Sequence, residues 1–237
     1  MSLRRNDKPL YVQLKNIIKD RILHGVYPLH ENIPPEPQLE KEFGVSKITV
    51  RGAIQELVQE GYLEKGSGKG TKVIRNTSGT KLSRLKRFTE VLVEEGHQIQ
   101  KVWLRSEIAE NPEGSEPWRL FGKSCLKLER VYVLDQKPYI HYTHYLSADI
   151  GELELNELKV QSLYELLEER HISFGRLRDE FAVAVPPADV AEVLGVPPGA
   201  PLLKRSRYSC SEEGSAVEYS EGFYNTELQS YVVNYDV

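Results

Sequence analysis

The chain has 237 residues, 40% of them hydrophobic and 28% charged, which is the size of one or two domains and excludes a fibre or a wholly disordered chain. No apolar run approaches the ~20 residues that span a bilayer, and no apolar segment follows MSLRRNDKPL, so neither a membrane anchor nor a signal peptide is expected and the cytoplasm is the expected compartment. The net charge of −4 divides into +8 over residues 1–87 and −12 over residues 88–237, as when a module that binds a polyanion is joined to a domain that does not.

In chain order, Leu10, Leu14, Ile17, Ile18 and Ile22 recur at helical spacing behind Pro9, and Gly25 marks a stop. A proline-rich break precedes a short helix over 36–43, closed by Gly44. Ser46 is the expected N-cap of a third helix, in which Val50, Ile54, Leu57 and Val58 form one apolar stripe down to Gly61. Two helices joined by a three- to four-residue turn with glycine make a helix-turn-helix, whose second helix enters the major groove of DNA. Its other face presents Lys47, Ile48, Thr49, Arg51, Gly52 and Gln55. A strand at 62–65, a Gly66-Ser67-Gly68-Lys69-Gly70 tip and a returning strand at 71–74 read as a wing that grips the DNA backbone or minor groove. The spacing of a nucleotide-binding Walker loop is absent.

These residues resemble a known family. Pro9-Leu10-Tyr11-x-Gln13, Glu36-x-x-Leu39, Phe43-Gly44-Val45-Ser46, Thr49-Val50-Arg51-x-Ala53, Leu57-x-x-x-Gly61 and Gly68-x-Gly70-Thr71 are similar to the winged helix of GntR-type bacterial transcription regulators. The resemblance implies DNA contacts at Pro37, Lys47, Thr49, Arg51 and Gly68. Together with the residues read from the helix and wing, the expected DNA set is Ser46, Lys47, Ile48, Thr49, Arg51, Gln55, Gly68 and Lys69. Pro37 and Lys47 stand where the family often has arginine, which removes a phosphate contact and a bidentate guanine contact and points to a different operator sequence.

The polar, turn-rich stretch 76–82 is the expected linker, separating a DNA-binding domain over 1–75 from a second domain over 83–237. A helix is expected from Ser83 to Gly96, with further helices at 115–121, 161–170 and 187–194. Strands are expected at 99–106, 125–134, 138–146, 176–185, 201–210, 215–224 and 230–236. The simplest assembly is an α+β domain with a mostly antiparallel sheet. Period-two alternation puts Arg130 and Tyr132 on the face of Leu126 and Leu128. It likewise groups Glu218, Ser220 and Tyr224 with Ala216 and Gly222, whose small size leaves room for a ligand. His141 and His144 fall on opposite faces of their strand. Ser162-Leu163-Tyr164-Glu165 has capping-box spacing, which serves either an anion or a plain helix cap.

Glu129-Arg130, Lys137-Pro138, Tyr145-Leu146, Ser162-Leu163-Tyr164, Leu194-Gly195-Val196, Pro201-Leu202-Leu203 and Val217-Glu218-Tyr219-Ser220 resemble the UTRA ligand-sensing domain of the HutC subgroup. That resemblance implies a chorismate-lyase-like fold and a small-molecule effector pocket at Arg130, Tyr132, His141, Thr143, Ser162, Tyr164, Glu218 and Tyr224, to which alternation adds Ser220. Tyr132 replaces a second arginine typical of members that sense sugar phosphates, so the effector class stays open among sugars, sugar phosphates and organic acids.

Cys125 and Cys210 have no neighbours at metal-ligand spacing and read as buried thiols, so no metal, disulfide or other cofactor is expected. Neither HExxH, GxSxG nor a carboxylate pair at defined spacing occurs, so no catalytic residue is expected. The resulting expectation is a homodimeric repressor that binds a double-stranded DNA operator under effector control. A chorismate-lyase-like enzyme fused to a DNA-binding module, and a DNA-binding protein without an effector, are the alternatives.

Overall fold

A computed structural model describes residues 8–66, 68, 70–76, 92–93, 95–151, 153–155, 158, 163–172 and 174–232. The chain forms two compact units, Met1–Ile99 and Gln100–Val237. The expected helix over 83–96, most of the 76–82 linker, Ser67, Lys69 and Ser162 lie outside the described residues, apart from the helical pair 92–93 and the turn at 95–96.

In the first unit, α1 (Leu10–Leu23), α2 (Glu36–Phe43) and α3 (Lys47–Gln59) precede the hairpin of β1 (Leu63–Gly66) and β2 (Gly70–Val73). The periodic positions make the core: Leu14, Ile18 and Ile22 of α1, Leu39 of α2 and Val50, Ile54 and Leu57 of α3 are buried. Each such side chain contributes about 1.5–3 kcal/mol by leaving water. Val58, expected in the stripe, is only half-buried because it sits at the margin of that face. Gly44 ends α2 at φ 63°, a left-handed conformation that turns the chain within three residues into α3. Ser46 caps α3, its hydroxyl accepting from the Thr49 amide at 3.3 Å. Lys15 and Lys19 of α1 both reach Glu60 just past α3, at 2.7 and 3.1 Å.

The second unit carries a six-stranded antiparallel sheet. Its strands are β3 (Ile99–Glu110), β4 (Ser124–Leu134), β5 (Lys137–Ser147), β6 (Arg176–Ala184), β7 (Leu202–Cys210) and β8 (Ala216–Tyr224), in the order β3-β4-β5-β8-β7-β6. Among the described residues it is accompanied by the α-helices α4 (Glu116–Phe121), α5 (Leu163–Glu169) and α6 (Ala188–Leu194). Leu163, Leu166 and Leu167 of α5 pack with Trp103, Leu126, Leu128 and Leu146 on one face. Val190 and Leu194 of α6 pack with Val131, Leu202 and Phe223 on the other. The strand expected at 230–236 is irregular at 230–232, and 233–236 lie outside the described residues. Cys125 is buried but Cys210 is half-buried, since it closes β7 beside a register shift. Among the described residues no helix is long and apolar enough to cross a membrane, and no acidic, His or Cys cluster is arranged to hold a metal.

Candidate DNA interface and effector site

The buried stripe of α3 fixes which residues face outward. Ile48 is 84% exposed, and Ser46, Lys47, Arg51 and Gln55 are exposed beside it, with Thr49 and Gly52 half-buried. An apolar side chain held in water at the start of a helix, within a basic unit, suits contact with a base or sugar. Arg51 Nε donates to Glu36 Oε2 at 2.9 Å. Gly68 sits at the exposed hairpin tip, and Gly70 approaches Asn32 so closely that a Cβ there would stand 3.0 Å from its side-chain amide. Lys69 lies outside the described residues.

The sheet register assembles the second site. One row across four strands reads Arg130, Tyr142, Gly222, Arg205, and the next reads Leu128, His144, Ser220, Arg207 and Asp179. Flanking rows supply Glu218 with Ser209, and Tyr132 with Tyr224. These side chains share a face because paired residues in antiparallel strands point the same way.

Glu218 is fully buried and accepts three bonds: from His144 Nδ1 at 2.6 Å, Ser209 Oγ at 2.9 Å and Tyr164 Oη at 3.1 Å. Burial alone would raise its carboxyl, but the His144 bond, with help from Arg207 and Ser209, holds it down at about 2. His144, 1% exposed, is pushed down to about 4, first by burial and then by Arg130, against the pull of Glu218. At neutral pH the pair is therefore a carboxylate and a neutral imidazole. Arg207 grips Asp179 through two bonds, Nε to Oδ1 at 2.6 Å and Nη2 to Oδ2 at 2.5 Å. Burial works the other way, but this fork keeps the Asp179 carboxyl below its ordinary range. The Arg130 guanidinium lies over Trp103, Tyr132 and Tyr142 at 5.0–5.2 Å from the ring centres. Arg205 lies over Tyr142 and Tyr224, and the hydroxyls of those two tyrosines share a short hydrogen bond.

The structure thus brings Arg130, Tyr132, Tyr164, Glu218, Ser220 and Tyr224 together. It does not bring His141 or Thr143 to them. His141 pairs with Val131 and Phe223, and Thr143 with Glu129 and Glu221, on the opposite face that α6 covers. Odd and even positions of β5 diverge, so His144 and not His141 shares the face of Glu218. Gly222 also departs from expectation: a Cβ there would be 2.5 Å from Tyr142 Cε1, so the space is filled by that ring and not left for a ligand. Sequence reasoning missed His144, Tyr142, Arg205, Arg207 and Asp179. The available signal was Leu203-x-Arg205-x-Arg207-x-Ser209, two arginines a strand period apart.

A winged helix-turn-helix unit followed by an antiparallel sheet bearing a buried charged cluster defines a DNA-binding regulator with a separate sensing domain. Residues 10–73 match the family described as bacterial regulatory proteins, gntR family, and residues 94–229 match the UTRA domain. The chain belongs to the GntR family of transcription regulators that carry a UTRA domain, which are not enzymes.

Two curated relatives align over nearly the whole chain. It is 27% identical over 230 residues to the HTH-type transcriptional repressor NagR of Bacillus subtilis (strain 168), covering 94% of this chain and 93% of that protein. It is 24% identical over 232 residues to the HTH-type transcriptional regulator GgaR of Escherichia coli (strain K12), covering 97% and 92%. In fold it is similar to the "possible transcriptional regulator YydK" of Bacillus subtilis subsp. subtilis str. 168, with a TM-score of 0.52 at 21% identity, covering 96% of this chain and 100% of that one.

Proposed function

We propose that this regulator is a cytoplasmic repressor that binds its operator as a homodimer and changes operator affinity when a small effector occupies the buried charged face of its second domain. The observation that carries the reading is the pairing of an outward row on α3, from Ser46 and Lys47 through Ile48, Thr49 and Arg51 to Gln55, with a buried charged face in a separate unit. Gly68 and Lys69 of the wing complete the DNA set, and Arg130, Tyr132, His144, Tyr164, Arg205, Arg207, Glu218, Ser220 and Tyr224 form the effector set. Repression is the named role of NagR, to which the chain is similar.

Homodimerisation is supported by β6, one of the two edge strands of the sheet. It is exposed along both faces and presents Leu177, Phe181 and Val183 to solvent, with Val185 just beyond. Exposed apolar edges invite pairing with another strand. A dimer reads two half-sites about one helical turn, ~34 Å, apart, and an effector coupling of ~1–3 kcal/mol changes occupancy about 5- to 150-fold. The test is a gel shift with the promoter fragment upstream of the gene against random duplex at physiological salt. Preferential retention of the promoter fragment, altered by a metabolite extract, is expected. Equal retention of both duplexes overturns the reading.

A further inference from the structure

The effector set contains three buried polar atoms with no hydrogen-bond partner among the described residues: Arg130 Nε, Arg205 Nε and His144 Nε2. All three belong to side chains grouped round one ring. Tyr142 lies 5.2 Å from the Arg130 guanidinium carbon, 5.4 Å from that of Arg205 and 5.6 Å from the His144 ring centre. Buried polar groups are nearly always paired, because leaving one unmade forfeits its bond to water without replacement. Three at one ring point to an occupant.

The orphaned groups specify its chemistry. A guanidinium only donates, so two of the three require an acceptor. His144 spends its Nδ1 proton on Glu218, which leaves Nε2 as a lone-pair acceptor that requires a donor. The charges of the face decide the sign and size of the ligand's charge. Arg130, Arg205 and Arg207 face Glu218 and Asp179, and with a neutral His144 one positive charge is unmatched. Arg207 is already spent on Asp179 through both bonds, so the surplus belongs to Arg130 and Arg205. A single carboxylate balances it, whereas a dianionic phosphate monoester leaves a buried negative excess.

Resting on the effector reading above, we propose that the ligand is a small hydroxylated carboxylic acid, its carboxylate accepting from the Arg130 or the Arg205 guanidinium and its hydroxyl donating to His144 Nε2. The rings of Trp103, Tyr132, Tyr142 and Tyr224 flank these guanidiniums and offer apolar surface to the acid's carbon body.

The test uses the full chain and matched probes that vary the distance from carboxylate to hydroxyl: glycolate, 3-hydroxybutyrate and 4-hydroxybenzoate, each against acetate, butyrate and benzoate, with inorganic phosphate, glucose 6-phosphate and glucose alongside at equal ionic strength. A fragment that meets both partners binds in the millimolar range, so melting temperature at ~20 mM probe reads it. At least one hydroxy acid is expected to raise the melting temperature and to bind about tenfold or more tightly than its parent acid. In the same samples, nitrogen NMR of histidine-labelled chain is expected to show the unprotonated nitrogen of His144 shifting as it accepts a hydrogen bond. His144→Phe, if it folds, abolishes the preference for the hydroxyl while the parent acids still bind.

If a phosphate or glucose raises the melting temperature and no carboxylate does, the ligand class is wrong and the effector reading stands. If a carboxylate binds without preference for the hydroxyl and without moving the His144 signal, the assignment of the donor fails. If no probe raises the melting temperature or moves that signal, this proposal fails; if a metabolite extract also leaves operator binding unchanged, the effector reading fails with it.

Discussion

Arg51, in the middle of the outward face of α3, is held by Glu36 at the first turn of α2, guanidinium Nε to carboxylate Oε2 at 2.9 Å. Both side chains reach solvent, so the pair adds only about 0–1 kcal/mol to stability. Its consequence is orientation. With Nε engaged, the terminal nitrogens of the fork are left for a base edge or phosphate. Glu36→Gln releases the fork, and fixing one long side chain on binding costs about 0.5–1.5 kcal/mol. Operator affinity in a fluorescence anisotropy titration is therefore expected to fall about 2- to 12-fold while the melting temperature stays put. Tighter binding by the variant would mean that Glu36 acts as a repulsive charge against phosphate and positions nothing.

Gly222 and Tyr142 occupy one space in the sheet. A methyl at position 222 meets the Tyr142 ring at 2.5 Å, and that ring is flanked by Arg130, Arg205 and His144, so it has little freedom to withdraw. Gly222→Ala is expected to lower stability by about 1–3 kcal/mol, read by urea unfolding, and to blunt the response to effector while DNA binding of the folded fraction is retained. A variant as stable as the parent would show that Tyr142 moves freely and is no fixed part of the site.

These two pairs illustrate how unevenly the molecule can be read from its sequence. The first unit is written in local terms: a 3.6-residue apolar period in α1 and α3, a left-handed glycine at 44 and a capping serine at 46 each act within a few residues of themselves. The strands of the second unit were equally legible one at a time, and alternation put Arg130 with Tyr132 and Glu218 with Ser220 on single faces. What local alternation does not encode is which face of β5 meets which face of β4, since register comes from pairing across long sequence distances. The resemblance therefore points to His141, whereas the register puts His144 on the face of Glu218. Arg205 and Arg207 escaped for a related reason: the other face of β7 holds Lys204, Ser206 and Tyr208, so no apolar contrast marked the arginines as inward.

The exposed apolar positions of β6 make a prediction about assembly. Val183 is 75% exposed at the sheet edge, so a lysine there costs the folded single chain little. If two copies pair along this edge, Val183→Lys places a charge in the joint on both sides of the symmetry axis. Sedimentation is expected to show a dimer for the parent and a monomer for the variant, with unchanged circular dichroism. A variant that stays dimeric relocates the interface; a parent that sediments as a monomer rules out the homodimer itself.

The His144–Glu218 pair sets how stability responds to acid. His144 is held down at about 4 against 6.5 when free, so as pH falls below 6.5 the unfolded chain gains a proton that the folded chain refuses, and stability declines towards pH 4. Glu218 is held down at about 2 against 4.5, so it favours the folded state fully above 4.5 and loses that contribution as pH falls towards 2. Both act in the same direction, histidine first. The melting temperature is thus expected to drop between pH 6.5 and 4.5 before most carboxylates titrate. His144→Gln retains a donor for Glu218 but has no proton to gain, so its melting temperature should change less over that interval than the parent's. Parallel curves for parent and variant would mean that His144 is as easily protonated in the folded protein as in water, and that its Nε2 is no acceptor at neutral pH.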